Sequence, residues 1–397
     1  MCQKPHMEIP ILALVLLVLA GLGVLIAFTQ LLTMQRHRRR RYVVPSQLPG
    51  VSILKPLCGI DDGLAANLER FAHLDYPEYE LLLGVKDVSD PAFPLAQRVA
   101  RENPERVRVV VQRGSNGFNP KINQLVTLAK HARYDLYVVS DSNVRVERDY
   151  LIEIAAHLCD SDVGLVTHPV RGLGERSLGA AMDNLHMTTT IAAGVVGAKT
   201  LARQDIVVGK SMAMRRADLE RLGGFAAFEN ILAEDYFMGR AVRARLGKRV
   251  ALASGFVTGY VRHMGIAQVY ARYRRWSVMH RNSVPLPFYL GACLLNPLSL
   301  AGAASLLAPA CLPIAVTLAT LKIACDMTLA RQSRAMPTDL STVAALVLKD
   351  LLMTVCWIHG LVSNTVEWRG NRLVVLAGTR IAPPRDASGD AAVESVQ

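Results

Sequence analysis

Two long stretches of this 397-residue chain carry no charge at all, from Ile9 to Met34 and from Asn282 to Leu321. That excludes an ordinary soluble domain, because an apolar run beyond about 20 residues can cross a bilayer. Cysteine is scarce and unpaired in pattern. Cys2, Cys58, Cys159, Cys293, Cys311, Cys325 and Cys356 form no C-x-x-C, and the last four lie in apolar segments. Neither a disulfide framework nor a zinc site is expected. Internal repeats are missing, which excludes a solenoid or propeller. The first apolar run also lacks a small-residue cleavage pattern and is too long for a signal-peptide core, so it reads as an uncleaved anchor.

What is present is apolar and basic. Hydrophobic residues make up 51% of the chain, and 45 Lys and Arg against 33 Asp and Glu leave a formal charge of +12. Arg36, Arg38, Arg39, Arg40 and Arg41 form one basic block; Arg272, Arg274, Arg275 and Arg281 form another. Such a balance suits anionic lipid headgroups, nucleic acid or a phosphorylated substrate. The first block directly follows the anchor, which places the residues after 41 in the cytoplasm. Beside a spanning segment the nucleic-acid reading is set aside, and no nucleic-acid partner is expected.

The organisation reads as an anchor at 9–34, a basic linker at 35–50, a cytosolic catalytic domain at 51–283, C-terminal membrane helices at 284–366, and a basic then disordered tail at 367–397. Within the catalytic stretch, 51–54, 80–87, 107–112, 135–141 and 163–170 read as strands. Segments 62–73, 92–102 and 120–133 have helical spacing, and Asn119 with Pro120 predicts the start of the third. This alternation predicts an α/β domain around a doubly wound, mostly parallel sheet, whose ligands bind beyond the carboxyl ends of the strands. From 171 the pattern loosens, with helices expected at 217–225 and 233–247. Trp368, Arg369, Arg372 and Arg380 argue for a cytoplasmic C-terminus, which needs an even number of crossings after the catalytic region. Three apolar segments follow it: two in the uncharged run, broken near Asn296-Pro297 or Pro309, and a third at about 341–366. The third contains Lys349 and Asp350 and is expected to be the re-entrant or interfacial exception.

Three carboxylates stand where chemistry would need them. Asp87 closes "LLLGVKD", Asp141 closes "LYVVSD", and Asp235 opens a helix after "GGFAAFENILAE". A carboxylate at a strand end can hold a nucleoside, a cation or a proton, although strands also end in Asp for turn formation. Asp235 could equally be a first-turn helix charge. Further on, "RYRRW" (272–276) puts Arg272, Arg275 and Trp276 on one helical face, an arginine pair for a diphosphate beside an indole wall. The competing reading is a basic and aromatic belt at the bilayer surface.

The set "GVKD", "VVSDSNVRV", "ILAEDYFMGR" and "RYRRW", with "ILKPLCGID" and "NPKIN" upstream, resembles the ceramide glucosyltransferases. The likeness runs from Val51 to Trp276 and loosely on to "EWRGNRL". Arg272 stands where processive polysaccharide synthases usually carry glutamine, which favours the lipid-directed branch. The resemblance implies a GT-A fold and an inverting, membrane-bound enzyme moving a hexose from a UDP-sugar to a lipid hydroxyl in the bilayer, ceramide first, or else a hopanoid or diacylglycerol. It implies that Asp87 contacts the nucleoside, that Asp141 binds the metal-diphosphate with Mg²⁺ or Mn²⁺, and that Asp235 is the base. Arg272, Arg275 and Trp276 would close on the diphosphate and acceptor, with Lys121 a nucleotide contact. The host membrane would be cytoplasmic in a bacterium, or of Golgi or ER type in a eukaryote. One position departs from the pattern: Asn143 stands where many GT-A enzymes carry the second aspartate of Asp-x-Asp. The rivals are a processive synthase, which needs more membrane helices, a haloacid-dehalogenase-type phosphatase, which would leave 272–276 idle, and a non-enzymatic membrane-anchored scaffold.

Overall fold

The computed structural model describes residues 9–114, 117–334, 339–368 and 370–384. Cys2, Arg369 and the part of the expected disordered tail from 385 on lie outside the described residues. The chain opens with α1 (Ile11–His37), then alternates through β1 (Val51–Pro56), α2 (Leu64–Ala72), β2 (Tyr79–Val85), α3 (Phe93–Glu102), β3 (Val107–Val111), α4 (Pro120–His131) and β4 (Leu136–Ser140). The short β5 (Val144–Arg145), α5 (Tyr150–Leu158), β6 (Val163–Thr167) and β7 (Val170–Leu173) follow. Next come α6 (Leu178–His186), a π-helical turn at Met187–Ala192, α7 (Ala193–Leu201), β8 (Ser211–Arg215), α8 (Arg216–Arg221), α9 (Glu234–Leu246), β9 (Arg249–Leu252) and β10 (Val257–Tyr260).

Seven strands form the main sheet in the order β3-β2-β1-β4-β8-β6-β9. Every pairing in it is parallel except those of β8 with β4 and β6. β1, β2, β4 and β6 are buried along nearly their whole length, as Val- and Leu-rich runs covered on both faces should be. The expected doubly wound, mostly parallel sheet is therefore present. Two differences matter. The expected strand 163–170 breaks at His168-Pro169, and its second part joins β5 and β10 in a separate small sheet. The antiparallel β8, "SMAMR", escapes a pattern reading because only packing against β4 and β6 makes it a strand.

The remaining elements are α10 (Ile266–Ser283), α11 (Leu286–Gly291), α12 (Pro297–Leu307), α13 (Leu312–Arg334), α14 (Leu340–Val362), and the hairpin-like β11 (Thr365–Trp368), β12 (Asn371–Val375) and β13 (Ile381–Ala382). Three described helices are long and apolar enough to cross a membrane, at Ile11–His37, Pro309–Arg334 and Leu340–Val362, and Leu286–Leu295 with Pro297–Leu307 forms a pair bent by 81°. This is a membrane protein. At about 1.5 Å per residue α1 alone outreaches the roughly 30 Å hydrocarbon layer. Its first half packs Ala13, Leu17 and Ala20 against Ala301 and Ala304 of α12, Ala308 just after it and Ala315 of α13. Its second half packs Leu31 and Met34 against α7 and Leu329 of α13. His37 Nε2 meets the Ala253 carbonyl at 2.9 Å and ties the anchor to the catalytic sheet.

α14 behaves differently. It lies along α6 and α10, where a β-carbon at Gly360 would stand 2.2 Å from Tyr289 Oη and 2.8 Å from Ser277 Oγ. Its opposite face leaves Leu348, Leu351, Val355, Ile358 and Val362 exposed, a stripe at three- and four-residue spacing. β11–β13 pack Val366, Leu373, Val375 and Ile381 against Val278 of α10 and Leu232. They brace the loop before α9: Leu232 N–H donates to the Thr379 carbonyl at 2.9 Å, and Ala233 N–H to Thr379 Oγ1 at 3.2 Å.

Candidate active site

The strand order reverses direction between β1 and β4, so the crevice beyond their carboxyl ends is the expected ligand position. Lys55, in the last turn of β1, is fully buried there. Its ammonium lies 3.8 Å from the Phe71 ring centroid and donates to the Asp141 carbonyl at 2.7 Å and Ser140 Oγ at 3.3 Å. Burial pulls its pKa down to about 7. Lys55 thus fixes the backbone of Asp141-Ser142-Asn143 immediately after β4, while the Ser142 hydroxyl donates to Asp61.

The predicted cap forms as expected: the Asn119 side chain accepts from Lys121 N–H at 3.0 Å and Ile122 N–H at 3.1 Å, with Pro120 in the first turn. Asn119 Nδ2 also donates to the Ile231 carbonyl at 2.8 Å, which pins the start of α4 to the start of α9. Lys121 consequently reaches both elements, with Nζ 3.0 Å from Asp141 Oδ1, 3.1 Å from Glu234 Oε1 and 3.1 Å from the Gly209 carbonyl. Burial opposes the Lys121 charge, yet Asp141, Glu234 and Asp235 together hold its pKa above the ordinary value. For Asp141 burial likewise favours the neutral acid, and Lys121 and Lys210 overcome it, keeping the carboxyl below its usual range.

Asp235 sits in the first turn of α9. Its Oδ2 accepts from Gly209 N–H at 2.6 Å and its Oδ1 from Tyr236 N–H at 2.8 Å. Burial first, then the neighbouring Glu234 charge, raise its pKa to about 6. A β-carbon at Gly209 would lie 2.8 Å from Asp235 Oδ2 and 3.1 Å from Lys121 Nζ, so a side chain there would push both groups aside. The next residue, Lys210, donates to Asn143 Oδ1 at 2.7 Å.

The helix α10 carries the arginine motif inward. Arg272 Nη1 donates to both oxygens of buried Asp183 at 2.8 Å, and the Tyr273 hydroxyl donates to Asp183 Oδ1 at 2.9 Å. Trp276 packs against the main core and edge-on to Tyr273, centroids 5.2 Å apart. Arg275 is half-buried on the same helix. Arg274 turns outward, meeting Glu367 at 3.4 Å.

The structure therefore joins Asp141 and Lys121 directly and Asp235 to them through Gly209, and sets Arg272 near enough for its charge to lower the pKa of Lys210, though burial is the larger cause. Asp87 stands apart. It lies two residues past β2, is exposed, and is held by the Ser89 amide at 2.8 Å and by the Ser89 hydroxyl, which lower its pKa. With β1 between β2 and β4, Asp87 shares the sheet edge with Asp141 at about two strand spacings, roughly 10 Å. Sequence reasoning missed four residues. Glu234 had a signal, adjoining Asp235, and so did Lys55, a charge inside an apolar strand. Asp183 and Lys210 had none.

A divalent cation fits this crevice in one way. Among the described residues no group of three or more His, Cys, Asp or Glu could hold a metal alone. Asp141, about a third exposed, supplies one carboxylate, and the rest of the coordination would come from phosphate oxygens of the ligand, a usual arrangement for Mg²⁺.

Comparison with known proteins finds glycosyltransferases. A ceramide glucosyltransferase of Caenorhabditis elegans, number 3, is 26% identical over 351 residues, covering 86% of this chain and 76% of its own. Another from the same animal, number 1, is 27% identical over 233 residues, which is 58% of this chain and 49% of that one. Among solved structures, a mannosyltransferase from Pyrobaculum calidifontis in complex with GDP-Man and Mn²⁺ superposes with a TM-score of 0.52 at 18% identity. It covers 89% of this chain and 99% of that one, and shows a shared fold, the GT-A type. Residues 15–381 match the model of glycosyl transferase family 21, and with nearly the whole chain inside that match, the protein is a member of glycosyl transferase family 21.

Proposed function

We propose that the protein transfers a hexose from a UDP-sugar to the hydroxyl of a membrane lipid with inversion at the sugar, ceramide and UDP-glucose being the first pair to test. The observation that carries this reading is the meeting of Asp141, Lys121, Glu234 and Asp235 in one crevice at the sheet's switch point. That crevice lies beside α10, which packs on the apolar-faced α14. The names of the curated relatives supply the acceptor class.

In the mechanism, Asp235 takes the proton of the acceptor hydroxyl as its oxygen attacks the anomeric carbon and the bond to UDP breaks. A carboxylate with a pKa near 6 is mostly ionised at neutral pH and a stronger base than an ordinary one. Lys121 holds Asp141 and Glu234 in fixed positions around it. Arg272 uses one nitrogen on Asp183, and a guanidinium carries five N–H donors, so it can meet a departing diphosphate without leaving its seat. Mg²⁺ or Mn²⁺ at Asp141 would add positive charge on the diphosphate when bound. Asp87 would reach the nucleoside from the next part of the sheet edge, and Arg275 and Trp276 would line the acceptor side.

The catalytic domain faces the cytosol, a reading that the arginine block after α1 supports. The bent α11–α12 pair makes one crossing and α13 the return, both along α1, while α14 lies at the interface. This gives the even number of crossings that the basic C-terminal residues need.

The test is expression of the full chain in a heterologous membrane with radiolabelled UDP-sugars, followed by lipid extraction with and without ceramide. Labelled glycolipid is expected. Asp235→Asn should lower transfer by about 100-fold or more while UDP-sugar binding persists. Absence of lipid label for any sugar and acceptor would overturn the reading, and loss of nucleotide binding in Asp235→Asn would make Asp235 a donor ligand.

A further inference from the structure

Resting on that reading, we infer that Lys210 is a binding residue for the donor's diphosphate, carrying part of the charge that a second aspartate-held cation site would supply. Its place is set by register. In the antiparallel pair of β4 and β8, Ser140 stands opposite Ser211, so Lys210 stands opposite Asp141. Its ammonium points to Asn143 Oδ1 at 2.7 Å, the position at which an Asp-x-Asp pattern would place the second carboxylate.

The chemistry of that contact is lopsided. Lys121 is answered by two carboxylates, but among the described residues no carboxylate lies within 4.0 Å of Lys210, whose partner is a neutral amide. A largely buried ammonium that ends on a neutral oxygen keeps its charge for an anion. Lys55 shares the pattern, but it is fully enclosed and its donors are spent on the Asp141 turn. Lys210 remains partly accessible. It is also bracketed by the right neighbours. Gly209 before it contacts Asp235 and Lys121, Asn143 faces it, and Arg272 lies close enough to affect its charge. An anion that met both Arg272 and Lys210 would bind beside Asn143, two residues past Asp141. With asparagine at 143, this pocket holds one negative charge less than an aspartate would leave it, so Lys210 is offset only through space, by Asp141 first. Diphosphate binding should therefore depend less on divalent metal than Asp141 alone would dictate.

The experiment measures UDP binding calorimetrically to the purified full chain in detergent, in Mg²⁺, in Mn²⁺ and in excess EDTA. It compares wild type with Lys210→Met, Lys210→Arg and Asn143→Asp, and thermal melting confirms folding. Wild type should still bind UDP in EDTA. Lys210→Met should weaken binding in EDTA by about 10- to 100-fold, the strength of a charge-assisted contact, and by less when metal is present. Lys210→Arg should restore most of it, and Asn143→Asp should make binding more metal-dependent. Lys210→Met binding as wild type in EDTA would overturn the inference, as would equal abolition by EDTA in both. Failure of wild type to bind UDP under any condition would instead bring down the UDP-sugar reading itself.

Discussion

Two clusters of buried charge, one on each side of α6, have opposite characters. On the membrane side, Lys322 pairs with Asp326 and, at 3.5 Å, with Asp350, while Lys349 pairs with Asp350 at 2.7 Å and Asp326 at 3.6 Å. Lys349 also reaches Thr190 Oγ1 at 3.2 Å in the π-helical turn. Two positive and two negative groups close on one another and leave no charge seeking a partner. In the crevice at the end of β1 and β4, the corresponding network is incomplete: Lys55 and Lys210 end on neutral oxygens, and Asp235 is held as a carboxyl of raised pKa. A closed network joins helices to one another, whereas an open one is arranged for something that arrives.

The largest expected effect separates the two directly. Lys349→Met removes one member of the closed cluster and should cost about 3–5 kcal/mol, read as a marked fall in the melting temperature of the detergent-solubilised protein. Lys210→Met should leave that temperature within a few degrees. Equal falls would erase the distinction. Of middle size, Asp183→Asn replaces the charged acceptor of three hydrogen bonds by a neutral amide, weakens the seat of Arg272 and should lower kcat/KM by about 30-fold. Steady-state rates as in wild type would show that Arg272 needs no anchor.

The smallest effect concerns pH. Because the Asp235 pKa is raised, the proton stays on until about pH 6, and the base form appears only above it. Transfer should rise through that value with rising pH and then level off. Glu234→Gln removes a negative neighbour and frees Lys121 to favour the ionised carboxylate, so the limb of the profile should move to lower pH by under about one unit. A shift upward would mean that Glu234 does not act on Asp235 through charge.

Much of the catalytic half was legible because its signals are local. Val- and Leu-rich strands, helical spacing between them and the Asn119-Pro120 start each depend on a few neighbouring residues, and they stand in the structure apart from the strand expected at 163–170, which is divided. Asp141 was found because strand ends are where such sheets present ligands. The unread contacts are long in sequence: 89 positions separate Arg272 from Asp183, and 67 separate Lys210 from Asn143. No window contains both partners, and neither Asp183 nor Lys210 stands out beside its own neighbours. Asp87 is the reverse case. Its motif is conspicuous, yet its side chain turns to Ser89 and leaves any nucleoside contact to be made when the ligand enters.

The strands that brace the loop before Asp235 come from nearly the end of the chain, Thr379 lying 146 positions beyond the Ala233 amide it receives. Every apolar helix described therefore precedes the brace in the sequence, and a premature stop after α14 would leave the loop before Asp235 without its Thr379 contacts.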